Sequence, residues 1–128
     1  HGDDGLDELA PTAPSTLWEV RGGEVLEMRL DPVADLGLAA ITLEDLRGGE
    51  ASENAAVARD VLAGAHGPVR DTVLLNAAAG LVADATLDGT RSGTIAERFE
   101  AGIAHAARSI DSGDAAASLD RWAAASQS

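Results

Sequence analysis

A chain of 128 residues suffices for one domain of ordinary size and is too short for two, and its 45% hydrophobic content is that of a globular protein. Its apolar stretches break well before the roughly 18 residues that a membrane span requires, and no cysteine or signal stretch is present, which excludes disulfides, a zinc-thiolate site and a thiol nucleophile and points to the cytoplasm. Twenty-two acidic residues against nine arginines and no lysine give a formal charge of −13 with only 2% aromatics, so nucleic acid, which needs clustered cations and stacking rings, is excluded as a partner.

The opening segment, His1 to Glu8, holds four carboxylates and two glycines, a composition that resists helix and strand and predicts a loop. His1 is not a methionine, and these residues resemble an internal loop, so the chain is expected to be a fragment. Pro11 and Pro14 frame an irregular link. Ser15–Val20 and Glu24–Leu30 then alternate around Arg21-Gly22-Gly23, which predicts a β-hairpin that Asp31-Pro32 ends. From Leu36 to Leu46 a connection with one helical turn at Thr42–Leu46 is expected.

Beyond Gly49 the chain turns helical and rich in alanine. Ser52 is the expected N-cap of a helix from Glu53 to Leu62, with Ala58, Val61 and Leu62 inward and Gly64 as the stop. Gly67-Pro68 opens a second helix, Val69 to Ala83, apolar around nearly its whole circumference and expected to be the most buried element. Thr94 caps a third from Ile95 to Ile110, with Ile95, Phe99, Ile103 and Ala106 or Ala107 inward and Glu97, Arg98, Glu100 and Arg108 toward water. Asp111-Ser112-Gly113 separates a last helix, Asp114 to about Ala124, with Leu119 and Trp122 on one face; Ser126-Gln127-Ser128 is expected to fray. The fold class is α/β, the segment itself reading as α+β: an acidic loop and hairpin followed by about four helices.

Adjacent acids on an irregular backbone, Asp7 and Glu8, can converge on a hard cation; a solvated acidic turn is the alternative. Magnesium takes only one or two protein carboxylates when water and substrate phosphates fill its shell, so such a loop suffices as a half-site. His66 and His105 lack a catalytic partner and read as structural or solvated. Gly48-Gly49 reads as an anion site or a plain turn. Asn54 and Asn76, inside helices, imply specific hydrogen bonds. Trp18, Phe99 and Trp122 read as core or hairpin packing.

Several separated motifs occur in one order: His1-Gly2-Asp3-Asp4-Gly5-Leu6-Asp7-Glu8, Pro14-Ser15-Thr16, Leu46-Arg47-Gly48-Gly49 with Glu53-Asn54-Ala55-Ala56, Gly67-Pro68-Val69-Arg70-Asp71 with Leu74-Leu75-Asn76-Ala77-Ala78-Ala79, and Ala107-Arg108-Ser109-Ile110-Asp111-Ser112-Gly113. Together they resemble the C-terminal portion of the α/β domain of the anthranilate phosphoribosyltransferases, with a composition similar to actinobacterial members. The resemblance implies transfer of phosphoribose from phosphoribosyl pyrophosphate to anthranilate, with release of pyrophosphate, in tryptophan biosynthesis. It also implies a Mg²⁺-dependent homodimer in which Asp7 and Glu8 are the metal ligands. The family's glycine-rich loop, Lys-His-Gly-Asn stretch and anthranilate-binding arginine lie upstream of the acidic loop and are not in this sequence, so 1–128 is expected to be a portion of one domain, inactive by itself. A pyrimidine nucleoside phosphorylase relative and a non-catalytic acidic protein-binding module are the competing readings.

Overall fold

A computed structural model describes residues 1–127. Strands β1 (Ser15–Arg21) and β2 (Glu24–Leu30) form a two-stranded antiparallel sheet, paired from Ser15↔Leu30 to Arg21↔Glu24. The turn is the two-residue Gly22-Gly23, at φ 60° and 85°, a left-handed pair that matches the strand twist and that glycine adopts without a Cβ penalty. A 3₁₀ turn, Leu43–Leu46, precedes four helices: α1 (Ala51–Leu62), α2 (Pro68–Asp84), α3 (Ile95–Asp111) and α4 (Asp114–Ala125). The expected α+β architecture is thus observed.

The core lies where the hairpin, α2 and α3 meet. Leu9, Leu30, Leu75, Ala78, Val82 and Phe99 are buried together, flanked by Leu17, Leu36, Leu38, Ile95 and Ile103. Each fully buried Leu or Phe contributes about 1.5–3 kcal/mol relative to exposure. A second cluster, Val61, Leu74 and Ile110, joins α1, α2 and α3. As expected, α2 supplies much of the buried surface, yet its apolar circumference is not covered throughout: Val73 is 42% exposed, and Ala77 and Ala83 face outward.

Four expectations need correction. Helix α1 starts after Glu50, not Ser52: the Glu50 N–H donates to Glu53 Oε2 at 2.9 Å, and the Asn54 side chain closes on Gly49 through both its amide nitrogen and oxygen, each at 2.9 Å. These bonds satisfy the helix start two residues earlier than a Ser52 cap would. Ala58 is exposed, because α1 turns Val61 inward at its C-terminal end. Arg98, expected in water, is buried against β1, where a carboxylate receives it. Trp122 is 71% exposed, since α4 meets the body through Ala115 and not through its indole.

Phe99 is core, as expected, whereas Trp18 lies on the open hairpin face and donates its indole N–H to Glu27, its cross-strand partner, at 3.0 Å. Thr94 caps α3 as expected: the Glu97 N–H donates to Thr94 Oγ1 and the Thr94 N–H to Glu97 Oε2. Ser126 and Gln127 extend the end of α4 through backbone bonds to Trp122 and Ala124, and Ser128 lies outside the described residues. No helix among the described residues is long and apolar enough to cross a membrane.

Candidate functional site

The acidic loop is built from its own first residues. Asp4 accepts the Leu6 N–H at 3.0 Å through one carboxylate oxygen and the Thr12 hydroxyl through the other, closing the loop across its stem. The Leu6 carbonyl accepts the Gly2 N–H, and Gly2 pairs with Ser15 at the start of β1. Asp3 forks onto the Arg29 guanidinium of β2 at 2.9 and 2.5 Å, and this hydrogen bond holds its carboxyl below the usual range.

On the far side, Leu9 is buried in the core and gripped by Asn76 of α2. The Leu9 N–H donates to Asn76 Oδ1 at 3.0 Å, and Asn76 Nδ2 donates back to the Leu9 carbonyl at 2.7 Å. Leu6 and Leu9 are therefore both tied down, and between them Asp7 and Glu8 project exposed. Among the described residues neither acid has a side-chain hydrogen-bond or ion-pair partner, so both carboxylates keep their oxygen lone pairs for a ligand.

That donor set suits a hard cation. Two carboxylates, both exposed and uncommitted, match the number of protein ligands Mg²⁺ takes when water and phosphate oxygens complete its octahedron. Among the described residues no group of three or more His, Asp or Glu converges on one point.

The other candidates resolve as structural. The Gly49 N–H is already donated to Asn54 and so is not offered to an anion, and Gly48-Gly49 forms an irregular lead into α1 and not the turn expected. Asn54 and Asn76 both make the specific hydrogen bonds that their helical positions implied, although the partner of Asn76, 67 residues away, could not be read from spacing. Sequence reasoning also missed the role of Asp4; its place two residues before Leu6 is the signature of a side chain closing on a nearby N–H. His66 is exposed, and His105 bridges the Asp88 carbonyl and Arg108.

Residues 1–116 match the family model described as "Glycosyl transferase family, a/b domain", and the chain belongs to that family. Within it, the chain is similar to anthranilate phosphoribosyltransferases: 58% identical over 123 residues to that of Arthrobacter sp. (strain FB24), covering 96% of this chain and 34% of the relative, and 54% identical over 125 residues to that of Streptomyces avermitilis, covering 98% and 34%. The solved anthranilate phosphoribosyltransferase from Saccharomyces cerevisiae, in complex with 4-fluoroanthranilate, superposes with a TM-score of 0.76 at 27% identity over 93% of this chain and 32% of its own. The chain thus spans about a third of the length of the curated relatives it matches, and the expected resemblance extends over nearly all of it.

Proposed function

We propose that residues 1–128 are the C-terminal portion of the α/β domain of an anthranilate phosphoribosyltransferase, and that this segment itself contains no separate second domain. The intact protein would transfer phosphoribose from phosphoribosyl pyrophosphate to the amino nitrogen of anthranilate, releasing pyrophosphate, as a Mg²⁺-dependent cytoplasmic homodimer of tryptophan biosynthesis. The names of relatives that are identical to this chain at more than half of the aligned positions, over nearly its whole length, support the assignment. The observation that carries the part played by this segment is the pair of uncommitted carboxylates, Asp7 and Glu8, between two anchored residues.

Asp7 and Glu8 supply hard oxygen donors at fixed backbone positions, and their exposure leaves room for a phosphorylated substrate to complete the shell. Bound there, Mg²⁺ would neutralise the negative charge that develops on the leaving pyrophosphate as the bond to C1 breaks. With a charge of −13 and no lysine, the chain offers no cradle for the pyrophosphate itself, so that task falls to other residues of the intact protein. Positioning of the two reactants is worth roughly 7–11 kcal/mol of barrier, more than two carboxylates can replace, so the segment alone performs no transfer.

The test joins this chain to the remainder of the Arthrobacter relative, in place of its matching segment. Loss of anthranilate fluorescence with phosphoribosyl pyrophosphate and Mg²⁺ is followed for the chimera, its Asp7→Asn/Glu8→Gln variant and the isolated chain. Activity is expected only in the unsubstituted chimera. Transfer by the isolated chain would refute the partial-site reading, and full activity of the doubly substituted chimera would refute the metal role.

A further inference from the structure

The grip of Asn76 on Leu9 joins the middle of α2 to the residue that follows the acidic pair, and it is complete in both directions. Asn76 Oδ1 accepts the Leu9 N–H at 3.0 Å, while Nδ2 donates to the Leu9 carbonyl at 2.7 Å and to the Thr72 carbonyl of its own helix at 2.9 Å. The Thr72 bond fixes which end of the carboxamide carries the nitrogen, since a flipped amide would set oxygen against two carbonyls. The side chain thereby pairs with Leu9 as a neighbouring strand would, at a place where the loop has no strand beside it. Leu9 is 7% exposed and shares the core with Leu75 and Ala78, which flank Asn76 on α2.

This anchoring has a consequence for Asp7 and Glu8. A two-residue acidic tip with free ends would have to order its backbone each time it took up a cation, losing conformational entropy at every residue fixed. Here the ends are set beforehand, Leu6 by Asp4 and Leu9 by Asn76. The links of Asp3 to Arg29 and of Gly2 to Ser15 hold the start of the loop to the hairpin, and the tie of Asn76 is the one that sets the residue after the acidic pair relative to α2.

We propose that Asn76 is a positioning residue for metal binding: through Leu9 it holds the Asp7–Glu8 backbone in the geometry that receives the cation. This rests on the metal role proposed above for the two acids. Asn76 touches neither cation nor substrate, and its removal should weaken divalent-ion binding at the tip. Groups bonded directly to metal ligands change metal affinity or activity by about 10- to 100-fold, and Asn76, which acts through the residue after Glu8, is expected at the lower end of that range.

The chimera serves for the test, with Mn²⁺ as the probe, its dissociation constant read by water-proton relaxation in the presence of pyrophosphate, and with steady-state kinetics at varied Mg²⁺. Asn76→Ala removes both bonds to Leu9; Asn76→Asp keeps the shape and the acceptor but loses both donations. Val61→Ala, in the second core cluster, is the control for lost stability without contact to the loop. Expected is a Mn²⁺ dissociation constant raised about tenfold in each Asn76 variant, with a matching rise in the Mg²⁺ needed for half-maximal rate, and neither change in Val61→Ala at a comparable melting temperature. If one Asn76 variant does not fold, the other carries the measurement. Asn76 variants that bind Mn²⁺ as the control does, while Asp7→Asn/Glu8→Gln loses it, would overturn the positioning role alone; unchanged binding in Asp7→Asn/Glu8→Gln would overturn the metal role and the positioning role with it.

Discussion

Arg98 of α3, only 4% exposed at its side chain, forks onto Glu19 of β1 with Nη1–Oε2 at 3.0 Å and Nη2–Oε1 at 2.6 Å, joining residues 79 positions apart. Two further donors are used as well: Nε reaches the Thr90 carbonyl at 3.0 Å and Nη2 also approaches the Val82 carbonyl at 3.4 Å. One guanidinium thus ties the hairpin, the end of α2, the following loop and α3 together. A planar five-donor fork fits this set, and an ammonium does not.

Replacing Arg98 with Met leaves the Glu19 carboxylate and two carbonyls without their donor, and is expected to destabilise the fold by about 3 kcal/mol. Arg98→Lys should recover only part of this. The double variant Arg98→Met/Glu19→Leu should lose less than Arg98→Met alone, because no carboxylate is then left at the apolar seam. Urea unfolding of the three variants reads each value. An Arg98→Met variant as stable as the unsubstituted chain would refute the tie.

Glu19 also predicts an acid dependence with a definite sign. The hydrogen bond from Arg98 holds its carboxyl below its ordinary value of 4.5. Between the folded and unfolded values the unfolded chain binds more protons, so the contribution of Glu19 is full above about pH 4.5 and is lost as the pH falls through the folded value. Asp3, Asp45 and Glu97 are lowered in the same direction by hydrogen bonds from Arg29, Thr42 and Thr94. Because protonation also relieves the repulsion of a chain carrying −13, the informative quantity is a difference. The stability gap between the unsubstituted chain and Glu19→Gln should hold steady from neutral pH to about pH 5 and narrow below about pH 4.5; a gap constant down to acid would exclude the ion pair as its source.

Gly102 of α3 packs directly on Ala78 of α2. A Cβ there would lie 2.9 Å from Ala78 Cβ and 3.0 Å from its Cα. Gly→Ala in a free helix is worth about 1 kcal/mol of stabilisation. At this crossing the helices must separate, and Gly102→Ala is expected to cost about 1–3 kcal/mol instead. Adding Ala78→Gly removes the Cβ contact but not the backbone one, so partial recovery of the melting temperature is expected. A melting temperature raised by Gly102→Ala would show that the crossing is looser than described.

His105 lies between a fixed donor and a fixed acceptor. Arg108 Nη2, which can only donate, sits 2.6 Å from Nδ1, and the Asp88 carbonyl, which can only accept, sits 3.0 Å from Nε2. The neutral ring is therefore expected as the Nε2–H tautomer. Side-chain ¹⁵N shifts measured where the ring is uncharged would establish this, and Arg108→Ala should let the Nδ1–H form appear. A dominant Nδ1–H form in the unsubstituted chain would contradict the arrangement.

Local chemistry determined a large part of this protein. The hairpin follows from alternation around Gly22-Gly23, the start of α2 from Gly67-Pro68, the cap of α3 from Thr94 with Glu97, and the acidic loop from carboxylates and glycines that favour neither helix nor strand. Each of these depends on atoms only a few residues apart, so the order of residues suffices to specify it. Tertiary structure decided what depends on distant partners. Arg98 carries the same charge as the exposed Arg108, and only the arrival of Glu19 from β1 makes its burial tolerable. Trp122 is as apolar as Phe99, but α4 has no partner among the described residues that covers its ring, so it stays in water. Asp7 and Glu8 were legible as a possible half-site from adjacency alone, whereas the backbone that presents them is held by Asn76, whose two bonds to Leu9 cross 67 residues and exist only once α2 packs beneath the loop.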